Sequence, residues 1–233
     1  MKELVLETRA LAAAYGSRDV FQDITLQLPR GQALGVIGAS GAGKTTLLRM
    51  LVGLLQPRAG DLRIIGRPPR DALRGAVVGY FAGEATLPGS ARAAAWGRLG
   101  ASDLHLPERR RIRTLSRGTR QMLGLRTVLS RHPLDLVVLD EPWESLDEDD
   151  GRWLSATLEK KRDRGAALVL SSHRLHDLAG VCDAYLCLVP PRAALLPAHE
   201  IAPGGVVTGE RLAEALEQLR SDKSRSLTLA GTA

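Results

Sequence analysis

An α/β fold is predicted by three features of the sequence. Five short apolar runs, Ala33 to Ile37, Val77 to Phe81, Leu136 to Leu139, Ala167 to Leu170 and Ala184 to Val189, lack the polar alternation of half-exposed strands. Buried parallel strands read this way because helices cover both faces of their sheet. Helical stretches alternate with the runs, first after Gly43, then over Ser116 to Ser130, Glu148 to Arg164 and Arg174 to Gly180. The third feature is a glycine-rich turn, Gly38 to Gly43, joining the first run to the first helix.

The remaining elements follow in order. Leu4 to Thr8 and Ile24 to Leu28 alternate more strongly and flank the turn-rich AYGSRD, as expected of an antiparallel edge sheet. Between Glu84 and Thr114 the chain becomes rich in Ala, Gly, Arg and Pro, which marks an inserted subdomain. Beyond Pro190 the text PPRAALLPAHEIAPGG reads as loop or short strands, and Gly209 to Arg220 as one amphipathic helix capped by Thr208. The closing SDKSRSLTLAGTA reads as a frayed end. One domain over residues 1–220, with a helical subdomain at 84–131 and a flexible tail at 221–233, is the expected organisation.

Composition narrows the function. With 233 residues, 44% of them hydrophobic and 25% charged, the chain can bury a sizeable core, which argues against disorder. Cys182 and Cys187 form neither a CxxC pair nor a set with histidines at metal-ligand spacing, so they read as reduced core or edge residues. MKELVLETRA shows no basic stretch followed by an apolar run, and no apolar segment approaches a membrane span. The expectation is a cytoplasmic protein that reaches a membrane only through a partner. A net charge of +6 keeps anionic partners in view. Its densest run, Arg109 to Arg120, reads as a solvated face, a phosphate-facing segment or a nucleic-acid patch, and the lack of interleaved aromatics weighs against the last.

Chemistry enters at the glycine-rich turn. Gly38-Ala39-Ser40-Gly41-Ala42-Gly43-Lys44-Thr45 satisfies GxxxxGK[ST] between a strand and a helix, with Thr46 following. Glycines let backbone N–H groups curl around phosphate oxygens, and the helix N-terminus adds positive potential. Lys44 is expected to reach the β and γ phosphates and Thr45 to ligate Mg²⁺. A second site supports the first: the apolar strand ending at Leu139 delivers Asp140 and Glu141 beside the phosphate loop. Asp140 suits Mg²⁺ and Glu141 the polarisation of an attacking water, although such an acid pair alone often only caps a helix.

Further along, Leu115 to Gln121 reads LSRGTRQ and opens a helix, with Ser116 standing 24 positions (140 − 116) before Asp140. Ser145-Leu146-Asp147 follows Glu141-Pro142, His173 ends the strand-like SSH, and Tyr15 precedes Lys44 by 29 positions (44 − 15). Singly, such a His or Tyr is more often structural. Together, in this order, the segments resemble the ATP-binding cassette (ABC) ATPases over roughly Leu4 to Leu219. That resemblance implies a P-loop NTPase fold with a mainly parallel core sheet, an antiparallel β edge subdomain and a small helical insertion. It also implies ATP and Mg²⁺ as ligands, with Tyr15 stacking on adenine, so that GTP is an alternative. Gly38, Ser40, Gly41, Ala42, Gly43, Lys44, Thr45 and Thr46 would hold the phosphates, with Thr45 and Asp140 on the metal. Glu141 and His173 would be catalytic, and Asp147 would lie on the D-loop. Ser116 and Gly118 would meet ATP held by an opposite subunit, in a nucleotide-sandwich homo- or heterodimer.

Two departures qualify the resemblance. Gly83 stands where the family has a glutamine that touches Mg²⁺ and the transporter subunit, and Glu84, next along, is the candidate substitute oxygen ligand. The stretch from Gly83 to Ser116 spans only 33 positions (116 − 83), so the helical subdomain is trimmed. The implied role is the ATP-hydrolysing subunit of a bacterial transporter, peripheral on the inner membrane through a separate permease, and LSRGTRQ is similar to exporters more than importers. The alternatives are a non-transport ABC ATPase acting on nucleic acid or ribosomes, and a slow-hydrolysing, nucleotide-dependent regulator.

Overall fold

The chain folds around two sheets in a computed structural model that describes residues 3–75, 77–101, 104, 106, 108–131 and 133–221. Three strands, β1 (Leu4–Tyr15), β2 (Arg18–Pro29) and, further on, β4 (Ala59–Ile64), form an antiparallel sheet in the order β2-β1-β4. The sequence reading found the hairpin with shorter strands and missed β4, whose first three residues are exposed. Between them run β3 (Ala33–Gly38) and helix α1 (Lys44–Leu51), and after β4 come α2 (Pro69–Arg74) and β5 (Val78–Phe81). The insertion contributes α3 (Ala93–Gly97) and α4 (Arg117–Leu129). Then follow β6 (Leu136–Leu139), α5 (Glu148–Asp163), β7 (Ala167–Ser171), α6 (Leu175–Leu178), β8 (Ala184–Val189), β9 (Arg192–Pro197), α7 (Ala198–Ile201) and α8 (Gly209–Ser221).

The six-stranded sheet has the order β5-β6-β7-β3-β8-β9, parallel except for β9. Its strands do alternate, but between two apolar faces. Leu34 and Val36 of β3, Leu136 and Val138 of β6, and Ala167 and Val169 of β7 pack towards α1 and the antiparallel sheet. Their neighbours Ile37, Val137, Leu139, Leu168 and Leu170 pack towards α4, α5 and α8. Both faces being dry, the sequence loses its polar alternation. Cys182 and Cys187 are buried free thiols in the second core, where burial pushes the Cys187 thiol up to about 12.

The insertion has a small core of its own, built from Ala93, Ala101, Ile112, Leu115 and Leu123. It is fastened to the main sheet where α4 crosses β5. A Cβ at Gly124 would lie 2.2 Å from Phe81 Cε2, so only glycine allows this approach. Gly124→Ala is expected to destabilise the chain by about 1–3 kcal/mol through overpacking, despite alanine's better helix propensity. A denaturant midpoint equal to the parent's would contradict this. The helix expected at Arg174 to Gly180 is confined to Leu175–Leu178, and Ala179 is already extended. The expected tail at 221–233 falls, beyond Ser221, outside the described residues.

Candidate functional site

Strand order builds the site. Because β7 lies between β3 and β6, three carboxyl ends converge: the glycine-rich turn after β3, Asp140 and Glu141 after β6, and Ser171 to His173 after β7. Such a crevice at the carboxyl ends of parallel strands is where open α/β sheets place ligands. The turn enters α1 through Gly43, at φ 99°. A side chain there would be strained by its φ and would press on Val20, whose Cγ1 is 2.3 Å from the Cβ position.

Lys44 is almost buried, and its Nζ donates to Gly38 O at 3.0 Å while standing 3.7 Å from Glu141 Oε1. Thr45 Oγ1 donates to Asp140 Oδ2 at 2.6 Å. On the other side Ser171 Oγ donates to Asp140 Oδ1 at 2.5 Å. The donor set is therefore hydroxyl and carboxylate oxygen, hard ligands that fit Mg²⁺ and leave its other positions to water and phosphate. Among the described residues no group of three or more His, Cys, Asp or Glu could hold a metal ion.

Glu141 sits at φ 48°, an unusual backbone position for a residue with a Cβ, at a cost of about 1–3 kcal/mol. Two contacts hold it there: its N–H donates to Ser171 Oγ at 3.0 Å, and Gln121 Nε2 donates to its carbonyl at 3.1 Å. The carboxylate is then aimed at the β7 end, where the His173 backbone N–H (3.0 Å) and Nδ1 (2.8 Å) both meet Oε2. Neither Ser171 nor Gln121 was singled out from sequence as a site residue. Ser171 stands only two residues before His173, and Gln121 lies inside LSRGTRQ, so their neighbours were the available signal. Ser171→Ala would remove a donor from buried Asp140 and an acceptor from Glu141 N–H, with an expected loss of about 1–3 kcal/mol. Chemical denaturation checks it.

Tyr15 ends β1 with its hydroxyl 3.2 Å from Thr46 Oγ1, and the residue is 57% exposed. It lines a cavity of about 470 Å³ together with Ser40, Gly41, Lys44, Thr45 and Glu141. A ring tethered by its hydroxyl and bare on a face suits stacking on a base. Ser116, Gly118 and Asp147 do not line this cavity. Ser116 caps α4, accepting from Thr119 N–H at 3.1 Å, and Asp147 caps α5 through Asp150 N–H at 2.9 Å. Gly118 passes so close to the Ser145 carbonyl that a Cβ would be 2.7 Å from it.

Comparison with known proteins agrees with this arrangement. A family profile described as "ABC transporter" matches residues 21–144, more than half of the chain. The chain belongs to the ABC transporter family. As an ABC ATPase it is 32% identical, over 81% of its length and 76% of the relative's, to the zinc import ATP-binding protein ZnuC of Alcanivorax borkumensis. It is 30% identical to the Nod factor export ATP-binding protein I of Cupriavidus pinatubonensis, with 79% of the chain aligned, and it spans 63% of that protein's length. Likeness to a solved ATP-binding subunit of an ABC transporter, with TM-score 0.77, 24% identity and coverage of 90% of this chain and 98% of the other, shows the shared fold.

Glu84, the candidate substitute oxygen ligand, is paired within the chain. Glu84 does not present its carboxylate as a free oxygen ligand. Oε2 accepts from Arg120 Nε at 2.5 Å and Oε1 from Arg117 Nε at 3.3 Å, and these guanidiniums, Arg120 foremost, hold the carboxyl below the usual carboxylate range. A metal there would compete with two guanidiniums for the same carboxylate oxygens. Part of the arginine-rich run is thus paired within the chain.

Proposed function

We propose that this chain binds ATP·Mg²⁺ and hydrolyses it as the ATP-binding subunit of an ABC transporter, working as a nucleotide-sandwich dimer on a separate membrane permease. The observation that carries the reading is the joint placement of Thr45 on Asp140 and of Glu141 between Lys44 and His173. Arriving phosphates draw Lys44 away from the Gly38 carbonyl and from Glu141. Oε1 of Glu141 is then free to accept from a water, while Oε2 stays fixed by the His173 loop. Water oxygen attacks the γ-phosphorus, the bond to the β-phosphate oxygen breaks, and the water's proton passes towards Glu141 or the phosphate. Mg²⁺, held by Thr45 and Asp140, would neutralise charge on the β and γ oxygens.

With Nδ1 facing a carboxylate, neutral His173 carries its proton there, so donation to a γ-phosphate requires the ring to turn or to become protonated. Ser116 and Gly118, outside their own nucleotide cavity, are then offered to nucleotide on a second copy or a related subunit. Closing on ATP and reopening after hydrolysis would drive the permease. No helix among the described residues is long and apolar enough to cross a membrane, in keeping with a separate spanning partner. Relatives include both import and export proteins by name, so no direction is assigned.

The test is recovery from native membranes. The chain should co-purify in stoichiometric amount with an integral membrane protein that stimulates its ATP-dependent phosphate release. Retention on RNA at moderate salt, without such a partner, would favour the non-transport reading instead.

A further inference from the structure

The Glu84 ion pairs lead to a role for that residue. Phe81, the last residue of β5, accepts from Asp140 N–H at 2.9 Å, and Glu84 follows three residues later, opening a single 3₁₀ turn. From there its carboxylate reaches the first turn of α4, the turn that presents Ser116 and Gly118. Arg120 completes the link by donating from Nη1 to Leu115 O at 2.7 Å, and Arg117 extends it from Nη2 to Glu144 Oε1 at 2.9 Å. Glu144 stands three residues after Glu141.

The inner pair is shielded, with side chains 14% exposed for Glu84 and 20% for Arg120, whereas Arg117 is 62% exposed. Exposed ion pairs contribute little, so the Glu84–Arg120 bond is the one with mechanical weight. Apolar packing holds α4 further along, where Gly124 abuts Phe81 and where Met122, Leu123 and Leu125 are buried. Its first turn is less buried: Ser116 and Arg117 are exposed, and Gly118, Thr119 and Arg120 are partly so, between buried Leu115 and Gln121, which donates to the Glu141 and Pro142 carbonyls. A helix pinned along one stretch can still tilt at the other end, and the carboxylate restrains that tilt.

We infer that Glu84 is a positioning residue of the composite ATP site: through Arg120 it fixes the first turn of α4, and so Ser116 and Gly118, relative to the strand ends bearing Asp140 and Glu141. The inference rests on the proposed reading in which that turn meets nucleotide on a second subunit. Glu84 touches neither nucleotide nor metal in this role. Removing its charge should therefore leave the chain's own phosphate loop intact and slow turnover.

Glu84→Gln, Arg120→Gln and the double variant form the experiment, with a fluorescent ATP analogue reporting nucleotide affinity and phosphate release reporting turnover. Expected are nucleotide affinities within about twofold of the parent, a kcat lowered about tenfold in each single variant, and a double variant no slower than either, since misplacement rather than lost binding is at work. The charge-swapped pair Glu84→Arg with Arg120→Glu should recover part of the lost kcat. Hydrogen exchange at the amides of residues 117–121 should quicken at least about tenfold in Glu84→Gln, a readout independent of turnover. Parental kcat and exchange in Glu84→Gln, or additive losses in the double variant, would overturn the inference. A parent that releases no phosphate while Glu84→Gln still loosens those amides would instead remove the hydrolytic reading and leave the positioning one.

Discussion

Glu141→Gln is expected to stop steady-state phosphate release while ATP remains bound. The substitution keeps the size and planarity of the side chain and removes its charge and basicity. Those are the properties needed by the group that polarises the water, and general-base contributions of this kind amount to about 10²–10⁴ in rate. Binding should survive because, in the proposed reading, the phosphates are held by other groups: the turn amides, Lys44 and, through Mg²⁺, the Thr45–Asp140 pair. It should even tighten somewhat, since Oε1 of Glu141 lies 3.7 Å from Lys44 Nζ and its charge competes with phosphate for that ammonium. Measuring phosphate release beside nucleotide affinity separates the two effects. A Glu141→Gln chain as active as its parent would falsify the assignment of the base.

Lys44→Ala should act on the other half of the cycle and cost the chain its ATP. Lys44 is only 8% exposed and lines the crevice, so its ammonium is held in place to meet phosphate. Hydrogen bonds to charged groups contribute about 1.5–3 kcal/mol each, and losing one or more should weaken ATP binding roughly ten- to a hundredfold. The partners left behind, the Gly38 carbonyl and one Glu141 oxygen, keep other contacts or face the open cavity, so the fold should persist. Titration of the variant with ATP at constant Mg²⁺, beside its far-UV spectrum, reads both. Parental affinity in a folded variant would mean that phosphates sit elsewhere.

The glycine-rich turn and the Asp140–Glu141 pair were legible because each is a contiguous stretch whose chemistry is local. A turn that exposes successive N–H groups at a helix N-terminus, with a lysine and a threonine opening that helix, needs no distant residue to be recognised. Strands Ala33–Gly38 and Leu136–Leu139 were legible for a related reason, since burial on both faces writes an unbroken apolar run. The edge strand Ala59–Ile64 was not, because exposed Ala59, Gly60 and Asp61 read like a turn. Ser171 and Gln121 also escaped, since each acts on residues 20 or more positions away and only their proximity to His173 and their place in LSRGTRQ hinted at it. The ion pairs of Glu84 escaped for the same reason: its partners stand 33 and 36 positions along the chain.

By itself, then, the sequence determined the α/β class, the glycine-rich turn from Gly38 to Thr45 with its GxxxxGK[ST] pattern, the two carboxylates after β6, and the order of the motifs that marks the family. Tertiary structure alone decided how these pieces meet. Placing β7 between β3 and β6 lets Ser171 bridge Asp140 and Glu141 and brings His173 onto the Glu141 carboxylate. Packing α4 on β5 carries Arg117 and Arg120 to Glu84 and pairs its carboxylate with both guanidiniums. The physical reason is range: backbone conformation and local patterning are written over a few residues, whereas a carboxylate's role is set by whichever charges the fold brings within about 3 Å of it.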